Sequence, residues 1–334
     1  MYRAILVPLD GSALAERSLP YAHLLAQASG TRLLLLRVVP PQTFLGLGPV
    51  EDQAAAMREA EGYLQGLAAR LTGHGTVETI VHYGEPADVI LAEAKQQQAD
   101  LIVMSTHGRS GLGRWIHGSV ADQVLRHAEI PVFLVPARAE HPWPEKHRWR
   151  IMVPLDGSDL AAEAIGPAVE LAQTLAGELL LTRVVTPPVA AYLAVHSYAS
   201  DAPNPYLAFD AEAEMTEAQT YLEGVATDLR RAGLTVRTHV AHGSPVDLLP
   251  VIAHTEDADI IVMATHGAGG ISRLVMGSVA TATIQRSGVP LLIVRPASVR
   301  QIRSAQSGTA PAPDAEQRTV QLLLTAHELR LLQR

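Results

Sequence analysis

The sequence predicts an α/β protein made of two tandem, doubly wound, parallel five-stranded sheets with helices on both faces. Short apolar runs alternate with helix-like segments along the chain, as in β-α-β units that build a parallel sheet. Three loop motifs also occur twice in the same order, so the sequence contains two copies of one domain. The motifs are Pro8-Leu9-Asp10-Gly11-Ser12 with Pro154-Leu155-Asp156-Gly157-Ser158, Thr106-His107-Gly108 with Thr265-His266-Gly267, and Gly118-Ser119-Val120-Ala121 with Gly277-Ser278-Val279-Ala280.

The first half contains five strand-like segments with helices between them. Residues 3–9 are a short apolar strand, after which Ser12 is expected to cap a helix over residues 13–28 that Gly30 ends. Residues 33–39 lack alternation, as a strand covered on both faces does. The further predicted elements are a helix over residues 51–71, a strand over 77–82, a helix from Pro86 to about Gln98, a strand over 101–104, a helix from Ser119 and a strand over 132–135.

The second half repeats this order, with predicted strands at residues 150–155, 179–185, 235–241, 260–263 and 291–294. Its extra residues lie mostly in 187–210, an extended loop that either lines the second site or is a tolerated surface insertion. The predicted domains are residues 1–137 and 149–297, with a linker at 138–148 and a tail at 298–334. In the tail, one face of a predicted short helix carries Val320, Leu323, Leu324 and Leu331. We expect this face to pack on the protein itself, and the alternative is that it binds a partner.

Composition argues against several classes of function. The net charge of −8 disfavours general nucleic-acid binding, which draws on excess positive charge. There is no cysteine, so disulfides, thiolate ligands and thiol nucleophiles are excluded. The first residues lead directly into a strand without a secretory signal, and the longest apolar runs are far shorter than a membrane span. We therefore expect a cytoplasmic protein with no nucleic-acid or membrane partner.

The repeated motifs lie at strand ends, where doubly wound sheets bind ligands. A glycine-rich loop over residues 108–118 would let main-chain amides approach a phosphate, and the N–H groups near Ser119 and Val120 favour an anion. Asp10 has the wrong charge for phosphate, but it suits ribose hydroxyls or a bridging metal ion, and Val38 offers an apolar wall for a base. These features predict a nucleotide site.

With these motifs, each half resembles the universal stress protein family, over about residues 1–137 and 148–297. ATP-binding members of that family have the signature Gly-x-x-Gly, nine residues, Gly-Ser/Thr. Residues 105–119 and 264–278 follow it, except that Ser105 and Ala264 replace the first glycine. Both replacements are small and permit close backbone approach, whereas a positive φ there would be costly.

The resemblance implies a protein that binds ATP or AMP, with Mg²⁺ held mainly by the phosphates, and that has a stress-response or regulatory role. It implies no catalytic residue and at most slow ATP hydrolysis. Ser105 and Ala264 keep open a scaffold of the same fold that binds no nucleotide. The implied binding residues are Pro8, Leu9, Asp10, Val38, Met104, Ser105, His107, Gly108, Arg109, Gly118, Ser119 and Val120 in the first half, and Pro154, Leu155, Asp156, Val184, Met263, Ala264, His266, Gly267, Gly277, Ser278 and Val279 in the second.

Some of these residues also have a purely structural interpretation. Asp10 could merely shape its turn, His107 could hydrogen-bond within its loop, and Ser119 is a predicted helix cap, as are their counterparts in the second half. Arg109, which Ala268 replaces in the second copy, either strengthens the first site or is a solvated loop charge.

The family resemblance also predicts how the halves meet. Members commonly dimerise through their last strand, so residues 132–135 and 291–294 are expected to pair within one chain. A further homodimer of the tandem chain is compatible with this pairing.

Overall fold

The computed structural model of the protein describes residues 2–41, 50–71, 75–106, 119–137, 148–186, 211–265 and 276–295. The strands are β1 (Ala4–Leu9), β2 (Arg32–Val39), β3 (Val77–Tyr83), β4 (Leu101–Ser105), β5 (Val132–Val135), β6 (Arg150–Pro154), β7 (Glu178–Val185), β8 (Thr235–His242), β9 (Ile260–Ala264) and β10 (Leu291–Val294). The helices are α1 (Ala13–Glu16), α2 (Leu19–Ser29), α3 (Val50–Arg70), α4 (Pro86–Gln96), α5 (Ser119–His127), α6 (Asp159–Ala162), α7 (Ile165–Thr174), α8 (Ala211–Arg231), α9 (Pro245–Thr255) and α10 (Ser278–Arg286).

The strands form one ten-stranded sheet in the order β3-β2-β1-β4-β5-β10-β9-β6-β7-β8. Within each half the strands are parallel, and the order reverses between β1 and β4 and again between β6 and β9. The halves join through an antiparallel pairing of β5 with β10, in which Phe133 lies opposite Leu292. The predicted doubly wound α/β fold is confirmed, and so is the predicted pairing of the last strands.

All ten strands lie where the apolar runs predicted them, within one or two residues. The reason is visible in β2, where Leu33 and Leu35 face one apolar cluster while Leu34 and Leu36 face another. A parallel strand covered on both faces needs apolar residues at every position, so its sequence is a continuous run.

The helix predicted over residues 13–28 is wrong as a single element, because the structure breaks it into α1 and α2. Ser12 caps α1 as predicted, its hydroxyl accepting from the Ala15 amide at 3.1 Å. Pro20 then lies in the first turn of α2 and has no N–H to donate to the Glu16 carbonyl, so one helix cannot continue through this point. Gly30 ends α2 in the left-handed conformation, with φ of +64°.

Each face of the sheet carries its own helices. The first apolar cluster contains residues of α2, α3, α7 and α8, and it also contains Phe133 from β5 and Leu292 from β10, so it crosses the junction of the halves. The second cluster contains residues of α4, α5, α9 and α10. Within the described residues, no helix combines the length and apolar character that a membrane crossing needs. The insertion at residues 187–210 and the helix predicted in the tail lie outside the described residues.

Candidate functional site

The carboxyl ends of β1, β2 and β4 meet at one edge of the first half, because β1 pairs in parallel with both neighbours. Two predicted site residues, Val38 on β2 and Met104 on β4, are buried in the same apolar cluster, and Val120 of α5 packs against it. The second half repeats the arrangement, since Met263 belongs to that cluster while Val184 and Val279 pack against it. These residues can form an apolar wall for a planar base.

Both repeated aspartates shape the turn that follows the first strand of their half. Oδ1 of Asp10 accepts hydrogen bonds from the Ser12 amide at 2.9 Å and the Ser12 hydroxyl at 2.6 Å. Oδ1 of Asp156 accepts the same pair from Ser158 at 2.9 and 2.5 Å. The turn-shaping role is therefore real. It is compatible with a ligand contact, because an ionised carboxylate has about four lone-pair sites.

The two carboxylates differ in exposure. Asp10 is half-buried, whereas Asp156 is exposed. The carboxylate of the first half is therefore the more desolvated of the two, and a hydrogen bond to it competes with fewer water molecules.

The glycine that follows each aspartate packs against an arginine of the neighbouring strand. Gly11 has φ of +79°, and a Cβ at this position would lie 2.9 Å from Nη1 of Arg37. Gly157 has φ of +88°, and its Cβ would lie 3.3 Å from Nη1 of Arg183. A side chain would therefore crowd the guanidinium at Gly11 and would be tightly placed against it at Gly157.

Each of these arginines also lies over a tyrosine ring from the long helix of its half. The Arg37 guanidinium carbon is 5.7 Å from the centroid of the Tyr63 ring, and that of Arg183 is 5.3 Å from the centroid of the Tyr221 ring. Sequence analysis did not identify these residues. The signal that could have found them is a further repetition, of Arg37-Val38-Val39 as Arg183-Val184-Val185 and of Tyr63-Leu64-x-Gly66 as Tyr221-Leu222-x-Gly224.

The start of α10 lies close to the end of β9. The Gly277 amide donates to the Thr265 carbonyl at 2.9 Å, which ties the residue before the helix to the residue after the strand. Gly277 is the N-cap, with ψ of 149°, and no side chain of the described residues caps this helix. Within the described part of the chain, the first amides of α10 therefore have no side-chain cap of the kind that N-terminal helix amides usually have.

The prediction that Ser278 caps α10 is wrong. Ser278 is the first helical residue, because the extended backbone that an N-cap requires belongs to Gly277. Ser119 is likewise the first residue of α5. Both serines are exposed, so their hydroxyls remain accessible at the helix start.

The residues that replace the first signature glycine fit without strain. Ser105 and Ala264 are the last residues of β4 and β9, and both are buried in an extended backbone. The amide of Thr106 donates to the Val135 carbonyl at 3.0 Å, which continues the sheet one residue further. A positive φ is not required here, so the absence of glycine does not distort the strand end.

The other predicted site residues differ in what they can offer. Leu9 and Leu155 are buried in the apolar cluster on the α2 and α3 face, opposite the face of Val38, so only their main-chain atoms could meet a ligand there. Pro8 and Pro154 are half-buried. Among the described residues, no group of three or more His, Asp and Glu could hold a metal ion. Outside the described residues lie His107, Gly108, Arg109, Gly118, His266 and Gly267.

Fold and site define a tandem α/β protein whose candidate sites lie at the carboxyl ends of parallel strands. The model of the universal stress protein family matches residues 1–136 and, a second time, residues 148–295, and the chain belongs to that family.

Relatives of two lengths resemble the chain. A universal stress protein of Mycolicibacterium smegmatis is 26% identical over 305 residues, covering 87% of this chain and 97% of its own length. One of Thermus aquaticus is 35% identical over 136 residues, covering 40% of this chain and 99% of its own length. The crystal structure of a universal stress protein from Archaeoglobus fulgidus covers 88% of this chain with a TM-score of 0.62 and 21% identity, and 96% of that chain is matched. The chain thus has the tandem form of this fold.

Proposed function

We propose that the protein binds an adenine nucleotide, ATP or AMP, at the carboxyl edge of each half, and that binding changes its regulatory partners in a cytoplasmic stress response. The observation that carries the proposal is the hydrogen bond that the Gly277 amide donates to the Thr265 carbonyl. It holds the first turn of α10, which no side chain of the described residues caps, at the same edge as Asp156, where an anion and a sugar would be bound together.

The chemistry of the surrounding groups suits the three parts of a nucleotide. An uncapped helix start favours phosphate, a carboxylate accepts hydrogen bonds from ribose hydroxyls, and the apolar residues at the ends of the second and fourth strands suit a base. Mg²⁺ would be held mainly by the phosphates. The acidic residue at this site is the aspartate of each turn, which the turn already engages through Oδ1.

We propose binding rather than catalysis as the purpose of the site. Among the described residues of the site, Asp10 and Asp156 are proposed to accept from the ribose, and the residues proposed to contact the base are apolar. An efficient hydrolase needs a general base or nucleophile within reach of the phosphate. ATP hydrolysis is therefore expected to be slow or absent, with no role for a covalent intermediate.

The first prediction is that calorimetric titration of the full chain with Mg-ATP detects two sites, one in each half. Asp10→Ala and Asp156→Ala should each weaken one site about tenfold, because each removes the acceptor for the ribose hydroxyls. The double variant should weaken both. Asp228→Ala, which removes an exposed carboxylate paired with Arg231 on α8, is the control and should leave both sites unchanged.

Two results would contradict this proposal. Folded wild-type protein that shows no heat with ATP or AMP at saturating concentration would favour the scaffold interpretation. Multiple-turnover ATP hydrolysis at about 1 s⁻¹ or faster would favour an enzyme.

A further inference from the structure

A guanidinium lies directly beside the turn that presents each aspartate. Arg37 is the β2 partner of Leu9, and its Nη1 lies 3.4 Å from the Leu9 carbonyl oxygen. Three atoms of the guanidinium lie within 3.3 Å of the position that a Gly11 Cβ would take. Arg37 is half-buried, so this contact is made in surroundings that are partly shielded from water.

The same guanidinium also lies over the ring of Tyr63, with its carbon 5.7 Å from the ring centroid. Tyr63 is anchored in turn, because its hydroxyl donates to Glu16 at 3.1 Å and Glu16 also lies 3.5 Å from Arg70. Burial, followed by the nearby Glu16 carboxylate, raises the pKa of Tyr63 above its ordinary value.

The second half contains the same arrangement built from different surroundings. The Arg183 guanidinium lies 5.3 Å from the centroid of the Tyr221 ring and against Gly157. Burial raises the pKa of Tyr221 as well. The position of Glu16 is taken by Ala162, which has no carboxylate to anchor the tyrosine. The two copies share the contacts of the guanidinium with the glycine and with the tyrosine ring, but they do not share the anchor of that ring.

We propose that Arg37 and Arg183 are positioning residues for the nucleotide sites, in that each guanidinium fixes the Asp-Gly-Ser turn so that its aspartate faces the ribose. The inference rests on the proposed function. A carboxylate that is already oriented binds hydroxyls without an entropic cost of ordering the turn. A guanidinium that contacts both a tyrosine ring and the glycine of the turn provides this rigidity, since cation–π contacts strengthen as water is excluded.

The test uses the full chain carrying Asp156→Ala, so that the first site dominates, and compares ATP with 2′,3′-dideoxy-ATP. The dideoxy ligand lacks the hydroxyls that Asp10 would bind. Arg37→Met should lower the affinity for ATP about tenfold and the affinity for the dideoxy ligand by less than about twofold. Arg37→Lys, which keeps the charge but not the planar group, should also weaken ATP selectively.

Tyrosine variants provide a second, milder test, because they alter the ring that contacts the Arg37 guanidinium. Tyr63→Leu should weaken ATP selectively because it removes the ring, whereas Tyr63→Phe keeps the ring and should bind ATP like the wild type. Arg32→Met is the matched control, because Arg32 lies at the other end of β2, where it pairs with Glu78. It should change neither ligand.

The outcomes separate this inference from the proposed function. If the wild type does not bind ATP, the proposed function fails, and the inference fails with it. If the wild type binds ATP but Arg37→Met binds it equally well, the inference alone fails. If Arg37→Met lowers the affinity for both ligands equally, the arginine only supports the fold and the positioning role is overturned. If Arg37→Met loses its circular dichroism spectrum, the contrast between Tyr63→Leu and Tyr63→Phe decides in its place.

Discussion

Gly11 has a left-handed backbone, with φ of +79°, directly against the guanidinium of Arg37. An alanine there would strain the backbone and crowd Nη1, so Gly11→Ala should lower the free energy of unfolding by about 1–2 kcal/mol. Urea denaturation followed by circular dichroism measures the change.

Gly157→Ala is the matched comparison for this prediction. Gly157 has a similar φ of +88°, but the nearest atom of Arg183 would be 3.3 Å from the new Cβ rather than 2.9 Å. Its effect should therefore be the smaller of the two. No loss of stability in either variant would contradict the strain argument, and a larger loss at Gly157 would contradict the contribution of the guanidinium.

Single residues also show which parts of a site a sequence reveals. Asp10 could be recognised as a candidate because its whole motif recurs and because it follows a strand. Arg37 could not be predicted from local pattern, since it is one polar residue in an apolar run and its partner Tyr63 is distant in the chain. The contact between them exists only once α3 packs on β2. The residues at the first glycine position show the reverse. The sequence left open whether Ser105 and Ala264 would need a costly positive φ, and their extended backbone shows that they do not.

At the scale of elements, α3 contains two exposed glycines, Gly62 and Gly66, where a Cβ would meet no neighbouring atom. Gly66 has no heavy atom within 4 Å of the position that a Cβ would take, and it lies in the helix interior. Gly66→Ala should therefore raise the free energy of unfolding by about 0.5–1 kcal/mol. The same measurement on Gly224→Ala, at the equivalent and equally open position of α8, should give a similar gain. Destabilisation in both variants would show that these glycines are required in a way that the packing does not reveal.

Strands were predicted more accurately than the first helix for a physical reason. A strand buried on both faces requires apolar residues throughout, and a single run records that requirement. The break between α1 and α2 depends on Pro20, whose missing N–H acts four residues upstream, at Glu16. Proline is also common in the first turn of a helix, so its presence near the start of residues 13–28 did not by itself indicate a break. The apolar pattern runs through the whole segment, and it therefore favoured one continuous helix.

At the scale of the molecule, the antiparallel junction of β5 and β10 determines where the two proposed sites lie. The carboxyl ends of the first half's strands reach one edge of the sheet, and those of the second half reach the opposite edge. One nucleotide cannot bridge both sites. Each site is therefore expected to draw its side chains from its own half, which allows the unequal Asp10 and Asp156 environments to give unequal affinities.

The same junction makes a prediction about the separated halves. All four residues of β5 are buried, and β10 covers an edge that would otherwise be exposed. Apolar edge strands favour pairing with another chain. A fragment of residues 1–137 should therefore form a homodimer through β5, with a dissociation constant of about 1 µM or tighter, corresponding to about 8 kcal/mol.

Sedimentation velocity over a concentration series measures this association. Adding a separately purified fragment of residues 148–295 should replace the homodimer by a heterodimer, because β10 is the partner that β5 has in the intact chain. The prediction requires the fragment to be folded, which its circular dichroism reports. A folded fragment that stays monomeric well above the micromolar range would show that the β5 edge does not drive association, and that the contact between α2 and α7 or the hydrogen bond from Arg295 to the Arg126 carbonyl is needed to join the halves.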